Sequence, residues 1–403
     1  MEARLLRWLV LDLNSFFASC EQQEHPELRG RPLIVVQTMA ETTCAIAASY
    51  PAKALGIKTG TLVHDARRLC PHLQLVQANH KLYVDYHHRI LRAIEKHIPV
   101  DEVMSIDEVA CRLDKRQQQP AVARELAQDI KHEIETQVGA CLTSSIGISA
   151  NKLLAKLASD MQKPNGLVIL PVEDLPRAIL HLQLRDIPGI GPNMAERLQK
   201  AGIPSIATLW NTDASRLRLV WGGVAGAKMH ALLHGEDIVS AKHARSSIGH
   251  QHVLAPEERS KQKSAPVMRQ LLARAAERLR DEGFFCRRLT VEVKWLGRDQ
   301  DLWTAKRSFS ETQDTGALLR ALEEIWREVR DRTPLRVGIA LSSLAPERAH
   351  QPDLFDKPND ARLVTAIDQV NAKFGKGAIT YGAAGTEQTS KIAFQRVPKV
   401  DEF

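Results

Sequence analysis

The chain has no pair of cysteines at CxxC spacing: its six, Cys20, Cys44, Cys70, Cys111, Cys141 and Cys286, are scattered along most of its length. That excludes a zinc ribbon and a disulfide scaffold, and it fits reduced thiols in a cytosolic protein. No stretch approaches the roughly 18 uninterrupted apolar residues of a membrane span, so none is expected. The N-terminus, MEARLLRWLVLDLN, has only a short apolar run, meets an acid at once and carries no cleavage site, which argues against a signal peptide. The expected location is the cytoplasm. Internal repeats and low-complexity tracts are also missing.

What is present is apolar enough to fold. Apolar residues are 44% of the 403, sufficient for sizeable cores, and that length implies about two to four domains. The net charge of +7 is unevenly spread. Residues 243 to 350 hold 20 Lys and Arg against 15 Asp and Glu, the first 242 hold 28 against 26, and the last 53 hold 7 against 7. The late segment is therefore either a module that binds a polyanion or a solvated surface.

Periodicity divides the chain. RWLVLDL (7 to 13) reads as a buried strand, followed by a helix from 15 to 24. Strands at 32 to 37 and 44 to 50 and a helix at 50 to 56 belong to a small module ending near residue 80. Helical spacing returns at 82 to 98. A hairpin follows, 100 to 107 and 108 to 114, then a helix at 120 to 138, a strand at 141 to 149 and a helix at 151 to 161. With one insertion this order is that of a βαββαβ sheet layer. A helical module spans 171 to 238. A Ser-, His- and Gly-rich linker at 239 to 252 leads to a second α/β unit with helices at 264 to 282 and 316 to 330 and strands at 289 to 295, 305 to 310 and 335 to 344.

The hairpin poses a question of chemistry. Asp107 and Glu108 are adjacent in MSIDEV, yet neighbours on a strand face opposite ways. Asp12 ends the first strand. If that strand lies beside the hairpin, three carboxylates meet, each raising the others' pKa unless cations intervene. Alternatively Asp12 caps the following helix and the acidic pair lies in an exposed turn. Spacing alone leaves both readings open.

The wider pattern decides between them. LDLNSFFASCE, SYPAKALGIKTG, SIDEV, GISANKLLAKLASDMQKPNG and IPGIG occur in the order and at the spacings of the Y-family DNA polymerases, the translesion enzymes, and the resemblance covers nearly the whole chain. DLNSFFASCE, PAKALG and the C-terminal region look most like the bacterial polymerase V catalytic subunit (UmuC-like), while SYPAK also has a DinB-like character. The resemblance implies a multidomain α/β right hand: a ferredoxin-like βαββαβ palm (1 to 24 and 81 to 170), small fingers (25 to 80), a helix-hairpin-helix thumb (171 to 238), an α/β little finger (253 to 350) and a tail (351 to 403).

Carried over to this chain, the resemblance makes Asp12, Asp107 and Glu108 the catalytic carboxylates and, with the Leu13 carbonyl, the ligands of two Mg²⁺ ions, with Mn²⁺ as a substitute. Phe17 falls at the steric gate that excludes a 2′-hydroxyl; by itself it would read as core. Tyr50, Lys53 and Lys163 match residues that touch the incoming dNTP. Lys53 stands where many relatives carry Arg, so its contact should be less directional. Lys156 is either a further contact or a solvated charge. Asn14 replaces an Asp found in many relatives, and Ala47 a Thr or Ser that would donate one triphosphate hydrogen bond. Neither departure removes a metal ligand.

Gly189 and Gly191 in the thumb hairpin would offer backbone N–H groups to a phosphate of primer–template DNA. Arg245, Lys294, Lys306 and Arg307 are candidate phosphate contacts in the little finger. QPDLF resembles the peptide by which bacterial polymerases bind the sliding clamp (the beta clamp), with Gln351, Leu354 and Phe355 as its contacts. Accessory mutagenesis subunits are further expected partners, damage-inducible expression is implied, and 363 to 382 resembles a UmuC-like tail. The expected activity is error-prone translesion synthesis without a proofreading block. The rivals are a weakly active DNA- and clamp-binding scaffold and a nucleotide cyclase sharing the palm topology.

Overall fold

The computed structural model describes residues 5–238, 245–297, 301–350, 359–374 and 378–379. They fall into two compact units that meet in sequence between residues 241 and 242.

The first unit begins with β1 (Trp8–Leu13), buried along its whole length, and α1 (Phe16–Glu24). The inserted small module contains β2 (Leu33–Val36), β3 (Ala45–Ala48), α2 (Tyr50–Ala54), α3 (Val63–Leu69) and β4 (Gln74–Gln77). Sequence reading left α3 and β4 unassigned. β2 is the centre of a sheet in the order β3-β2-β4, with its own core around Ile34, Val36, Ile57 and Val63. The chain then forms α4 (His80–Glu95), β5 (Glu102–Val103), β6 (Glu108–Arg112), α5 (Pro120–Gln137), β7 (Ser144–Ser149), α6 (Lys152–Met161) and β8 (Leu167–Leu170). The main sheet has the order β5-β6-β1-β7-β8, which is the expected βαββαβ arrangement with β8 added at one edge.

The hairpin is shorter than periodicity suggested, because Met104–Asp107 leaves the extended conformation between β5 and β6. Asp107 thus sits in a turn and Glu108 opens a strand. The alternation that should separate neighbouring acids does not apply across that boundary.

Helix α6 lies tight on β7. A Cβ at Gly147 would come within 2.0 Å of the Ala155 carbonyl oxygen, so only glycine permits this approach. Beyond β8, α7 (Pro192–Lys200), α8 (Ile206–Trp210), α9 (Ala214–Trp221) and α10 (Val224–Leu233) gather Leu184, Ile190, Leu198 and Leu217 into a core shared with Leu154 and Leu157 of α6.

The second unit contains β9 (Ser247–Val253), α11 (Lys261–Asp281), β10 (Phe284–Trp295), β11 (Leu302–Thr312), α12 (Thr315–Glu328), β12 (Pro334–Ser342), β13 (Ala345–Pro346) and α13 (Asn359–Phe374). Residues 247 to 252, expected in the linker, are instead a strand. Its SIGHQHV sequence is polar because only Ile248 and His252 are buried. The sheet order is β11-β10-β12-β9, and Leu289, Val291 and Val293 of β10 face α11 and α12 in the core. The expected clamp peptide, with Gln351, Leu354 and Phe355, lies outside the described residues, as do 239–244 of the linker. Among the described residues no helix is long and apolar enough to cross a membrane.

Candidate active site

Antiparallel pairing of β1 with β6 puts Asp12 opposite Glu108, and the Leu13 N–H donates to the Asp107 carbonyl at 2.9 Å. Three acids spread over nearly a hundred residues therefore share one sheet end. The alternative in which Asp12 caps a helix fails, since Ser15 precedes α1 and Asp12 is the fifth residue of a central strand.

Lys156 is the centre of this cluster. Its ammonium donates to Asp12, to Glu108 at 2.7 Å and to Asp160 at 2.9 Å. Its side chain is only 14% exposed, so the solvated-charge reading is wrong. Lys163 adds contacts at 2.7 Å to Asp12 and 2.8 Å to Asp160. Burial is the largest single influence on the Asp12 carboxyl and pushes its pKa up. The combined attraction of Lys156 and Lys163 outweighs it and holds the group below the usual carboxylate range. Asp107 and Glu108 go the other way, raised chiefly by burial and further by Asp12.

Ser105 donates to the Asp107 carboxylate, fixing it in the turn. Beneath that turn, the buried His87 ring on α4 hydrogen-bonds through Nδ1 to the Ile106 carbonyl at 2.7 Å. No motif pointed to His87. Burial pushes its pKa down from 6.5 to about 4, against the opposing effect of the Ile106 bond and with help from His88. Between those values the unfolded chain takes up a proton that the folded protein refuses. Stability contributed by neutral His87 is full above about pH 6.5 and is lost as pH falls toward 4, by up to about 3 kcal/mol. Urea unfolding at pH 7 and pH 5 should show this slope in the wild type and a smaller one in His87→Gln; equal slopes would exclude His87 as its source.

The inserted module delivers its residues to the same place. The Ser49 side chain caps α2 by accepting from the Ala52 N–H, and Tyr50 and Lys53 follow, with the Lys53 ammonium 4.5 Å from the centre of the Tyr50 ring. Tyr50 is raised by burial, with Lys163 and Asp12 acting on it in opposite directions. Lys53 is lowered by burial and then by repulsion from Lys163. Phe17 on α1 is half-buried and stacks on Tyr83 at 4.3 Å between ring centres. Ala47 lies buried in β3. The buried Asn14 points away from the acids: its Oδ1 accepts from the Asn165 N–H at 2.7 Å, and its Nδ2 donates to Ser145 at 3.0 Å.

The donor set is chemically suited to Mg²⁺ or Mn²⁺, all carboxylate and carbonyl oxygen. Asp12 and Glu108 already converge on one cation, the Lys156 ammonium. Among the described residues no three acidic, His or Cys side chains are drawn together as they would be around a bound ion.

In the helical module, Gly189 adopts a positive φ of 90° and Gly191 precedes α7 without any side-chain cap, leaving first-turn N–H groups open toward a shallow concavity that Arg197 also lines. In the second unit the β10–β11 register pairs Thr290 with Lys306 and Lys294 with Leu302, so Lys294 and Lys306 share the sheet face opposite the helices. Arg288 and Arg336, which sequence reading did not single out, share it by the β10–β12 register. Arg307 lies on the other face and pairs with Glu324 of α12 at 3.1 Å. Arg245 is engaged by Glu282. These two candidates are thus held by carboxylates; Lys294 and Lys306 share their sheet face with Arg288, Arg336 and one acid, Glu292.

The chain matches the impB/mucB/samB family over residues 11–160, that family's C-terminal domain over 245–354, and a domain of unknown function (DUF4113) over 361–396. It is 36% identical to DNA polymerase IV of Moorella thermoacetica, covering 92% of this chain and 94% of that one, and 32% identical to DNA polymerase IV of Pelotomaculum thermopropionicum, covering 92% and 93%. Among solved structures, a Y-family DNA polymerase chimera of Dbh and Dpo4 aligns with TM-score 0.71 and 25% identity over 84% of this chain and 99% of that one. An insertion ternary complex of Dbh DNA polymerase aligns with TM-score 0.55 and 24% identity over 83% and 98%.

Proposed function

The chain belongs to the impB/mucB/samB family of Y-family DNA polymerases and is a DNA-directed DNA polymerase, and from that premise we propose that it extends primers past damaged template bases with low fidelity. The observation that carries this reading is the placement of Asp12, Asp107 and Glu108 at one sheet end by the β1–β6 pairing, faced by Lys53, Lys163 and Tyr50. Polymerases of this family depend on divalent metal. A pair of such ions held by the three carboxylates and the Leu13 carbonyl would stabilise the attacking and leaving oxygens of phosphoryl transfer.

The chain's own residues supply the rest. Lys163 and Lys53 give positive charge where the triphosphate of a dNTP would lie, and the Tyr50 hydroxyl gives a hydrogen bond. Lys53 acts as a point charge, without the bidentate fork of Arg. The primer 3′-hydroxyl attacks the α-phosphate and pyrophosphate leaves. On the thumb, the N–H groups after Gly191 suit a DNA phosphate, and on the little finger the row of Arg288, Lys294, Lys306 and Arg336 suits several. Each such contact on duplex should steepen the salt dependence of binding by about 0.9 in log–log slope.

Primer extension across a defined abasic or bulky lesion tests the proposal. Bypass with frequent misinsertion is expected, and well-folded protein that neither extends undamaged primers nor passes lesions would favour the scaffold reading. Phe17 is held by Tyr83, so its ring cannot swing aside for a ribose. Phe17→Ala should therefore raise ribonucleotide incorporation relative to deoxyribonucleotide by about a hundredfold or more, because a steric exclusion is removed; an unchanged ratio in competition assays assigns the ring to core packing. Clamp binding through Gln351, Leu354 and Phe355, accessory subunits, and a polymerase V-like rather than polymerase IV-like role belong to the same proposal. The two curated relatives named above are both polymerase IV; the polymerase V reading rests on the sequence resemblance of DLNSFFASCE, PAKALG and the tail at 363 to 382, which lies within the matched domain of unknown function.

A further inference from the structure

Lys131 lies on α5, away from every motif that pointed to chemistry, yet its ammonium is fully committed. It donates to the carbonyls of Ser144 at 2.7 Å, Asn165 at 2.8 Å and Gly166 at 3.2 Å, which uses all three of its N–H donors. Hydrogen bonds from a charged donor are the stronger kind. Two of the three acceptors belong to the turn that immediately follows Lys163 and Pro164.

That turn needs holding. Asn165 has a positive φ of 57°, a left-handed conformation that disfavours most residues with a Cβ and that Asn tolerates best among them. At Gly166 a Cβ would come within 1.8 Å of the Gln162 carbonyl oxygen, so the backbone doubles back on itself. Every polar backbone atom of the two residues is tied. Asn14 takes the Asn165 N–H at 2.7 Å and Ser145 the Gly166 N–H at 3.3 Å, Lys131 takes both carbonyls, and the Ile146 N–H shares that of Gly166 at 3.1 Å. The Lys131 bond to Ser144 ties the same ammonium to the start of β7, next to the strand that carries Asp12. The turn is therefore fixed relative to the acids by three side chains, Asn14, Ser145 and Lys131.

We propose that Lys131 is a positioning residue for the incoming nucleotide: by clasping the Asn165–Gly166 turn it holds Lys163 where the triphosphate is bound. The inference rests on the reading of Lys163 as a triphosphate contact. Displacing a substrate-positioning group by about 1 Å can cost up to a hundredfold, and a loss confined to ground-state contact appears in KM more than in kcat.

The test is steady-state insertion of a single dNTP by the full chain on an undamaged primer–template, with active sites counted by burst titration. Lys131→Met should raise KM for dNTP about tenfold with kcat within about twofold. Lys131→Gln, with two donors, should fall between it and wild type, and Lys131→Arg, whose guanidinium can serve several carbonyls, should recover most of the loss. A merely structural lysine would lower the active fraction without moving KM. Lys163→Met runs in parallel. If Lys163→Met raises KM and the Lys131 series does not, the positioning role is overturned while the triphosphate reading stands. If Lys163→Met leaves KM unchanged, both fall, whatever the Lys131 variants do. Should Lys131→Met not fold, the order of wild type, Arg and Gln decides the matter.

Discussion

Asp107→Ala should abolish primer extension, lowering the rate by about a thousandfold or more, while binding of primer–template measured by fluorescence anisotropy stays within about twofold of wild type. The expectation follows from where the carboxylate is attached. Asp107 lies in the turn between β5 and β6, and the bond that joins this turn to β1 runs from the Leu13 N–H to the Asp107 main-chain carbonyl, which alanine retains. The Ser105 hydroxyl loses one acceptor, a small cost at a half-buried site. Asp107→Asn keeps nearly the same shape and loses only charge, so it should be as inactive if charge is what matters. Extension above about a tenth of the wild-type rate by either variant would remove Asp107 from the reaction.

The second large effect concerns stability. Lys156→Met should destabilise the metal-free protein at neutral pH by about 3–5 kcal/mol, the usual result of removing one partner from a buried ion cluster. Asp12 and Glu108 would be left facing each other. Asp12 would keep only the Lys163 share of the attraction that holds its pKa down, so its contribution to stability, present above its unfolded pKa, would shrink. The denaturation midpoint in urea, measured with a chelator and again with millimolar Mg²⁺, separates the causes. Mg²⁺ should recover part of the loss in the variant and change the wild type less. A loss below about 1 kcal/mol, typical of an exposed pair, would return Lys156 to the solvated surface.

Much of this site was legible in the sequence, for identifiable reasons. The short buried run ending in Asp12 and the hairpin motif gave the three acids, and the Y-family pattern gave Lys53, Tyr50 and Lys163. What the sequence could not supply was the break in the strand at Asp107, which lets adjacent acids serve one site. Lys156 had an available signal, because Lys156, Asp160 and Lys163 follow at helical spacing, i, i+4 and i+7. That spacing puts Lys156 on the face of α6 that packs on β1, which decides between the two readings open for it, a further contact or a solvated charge. His87 and Lys131 were invisible for a different reason: each acts through a backbone carbonyl, and carbonyls leave no trace in a sequence. In the second unit the strands β10, β11 and β12 were expected but the facing of their basic residues was not. The register shift between Cys286 and Arg288 resets which residues face out at the start of β10, and β9 was taken for a linker because most of its residues are polar.

The placement of β1 has a mechanical consequence. It is the middle strand of the sheet, bonded to β6 on one side and β7 on the other, so Asp12 is a fixed post that cannot shift without tearing two ladders. Asp107 is carried by a turn whose outer arm, β5, pairs over only two residues. Of the three acids, Asp107 therefore stands where the fewest ladder bonds hold the sheet, its place depending on single ties, to β1 through the Leu13 N–H and to α4 through the Ile106 carbonyl.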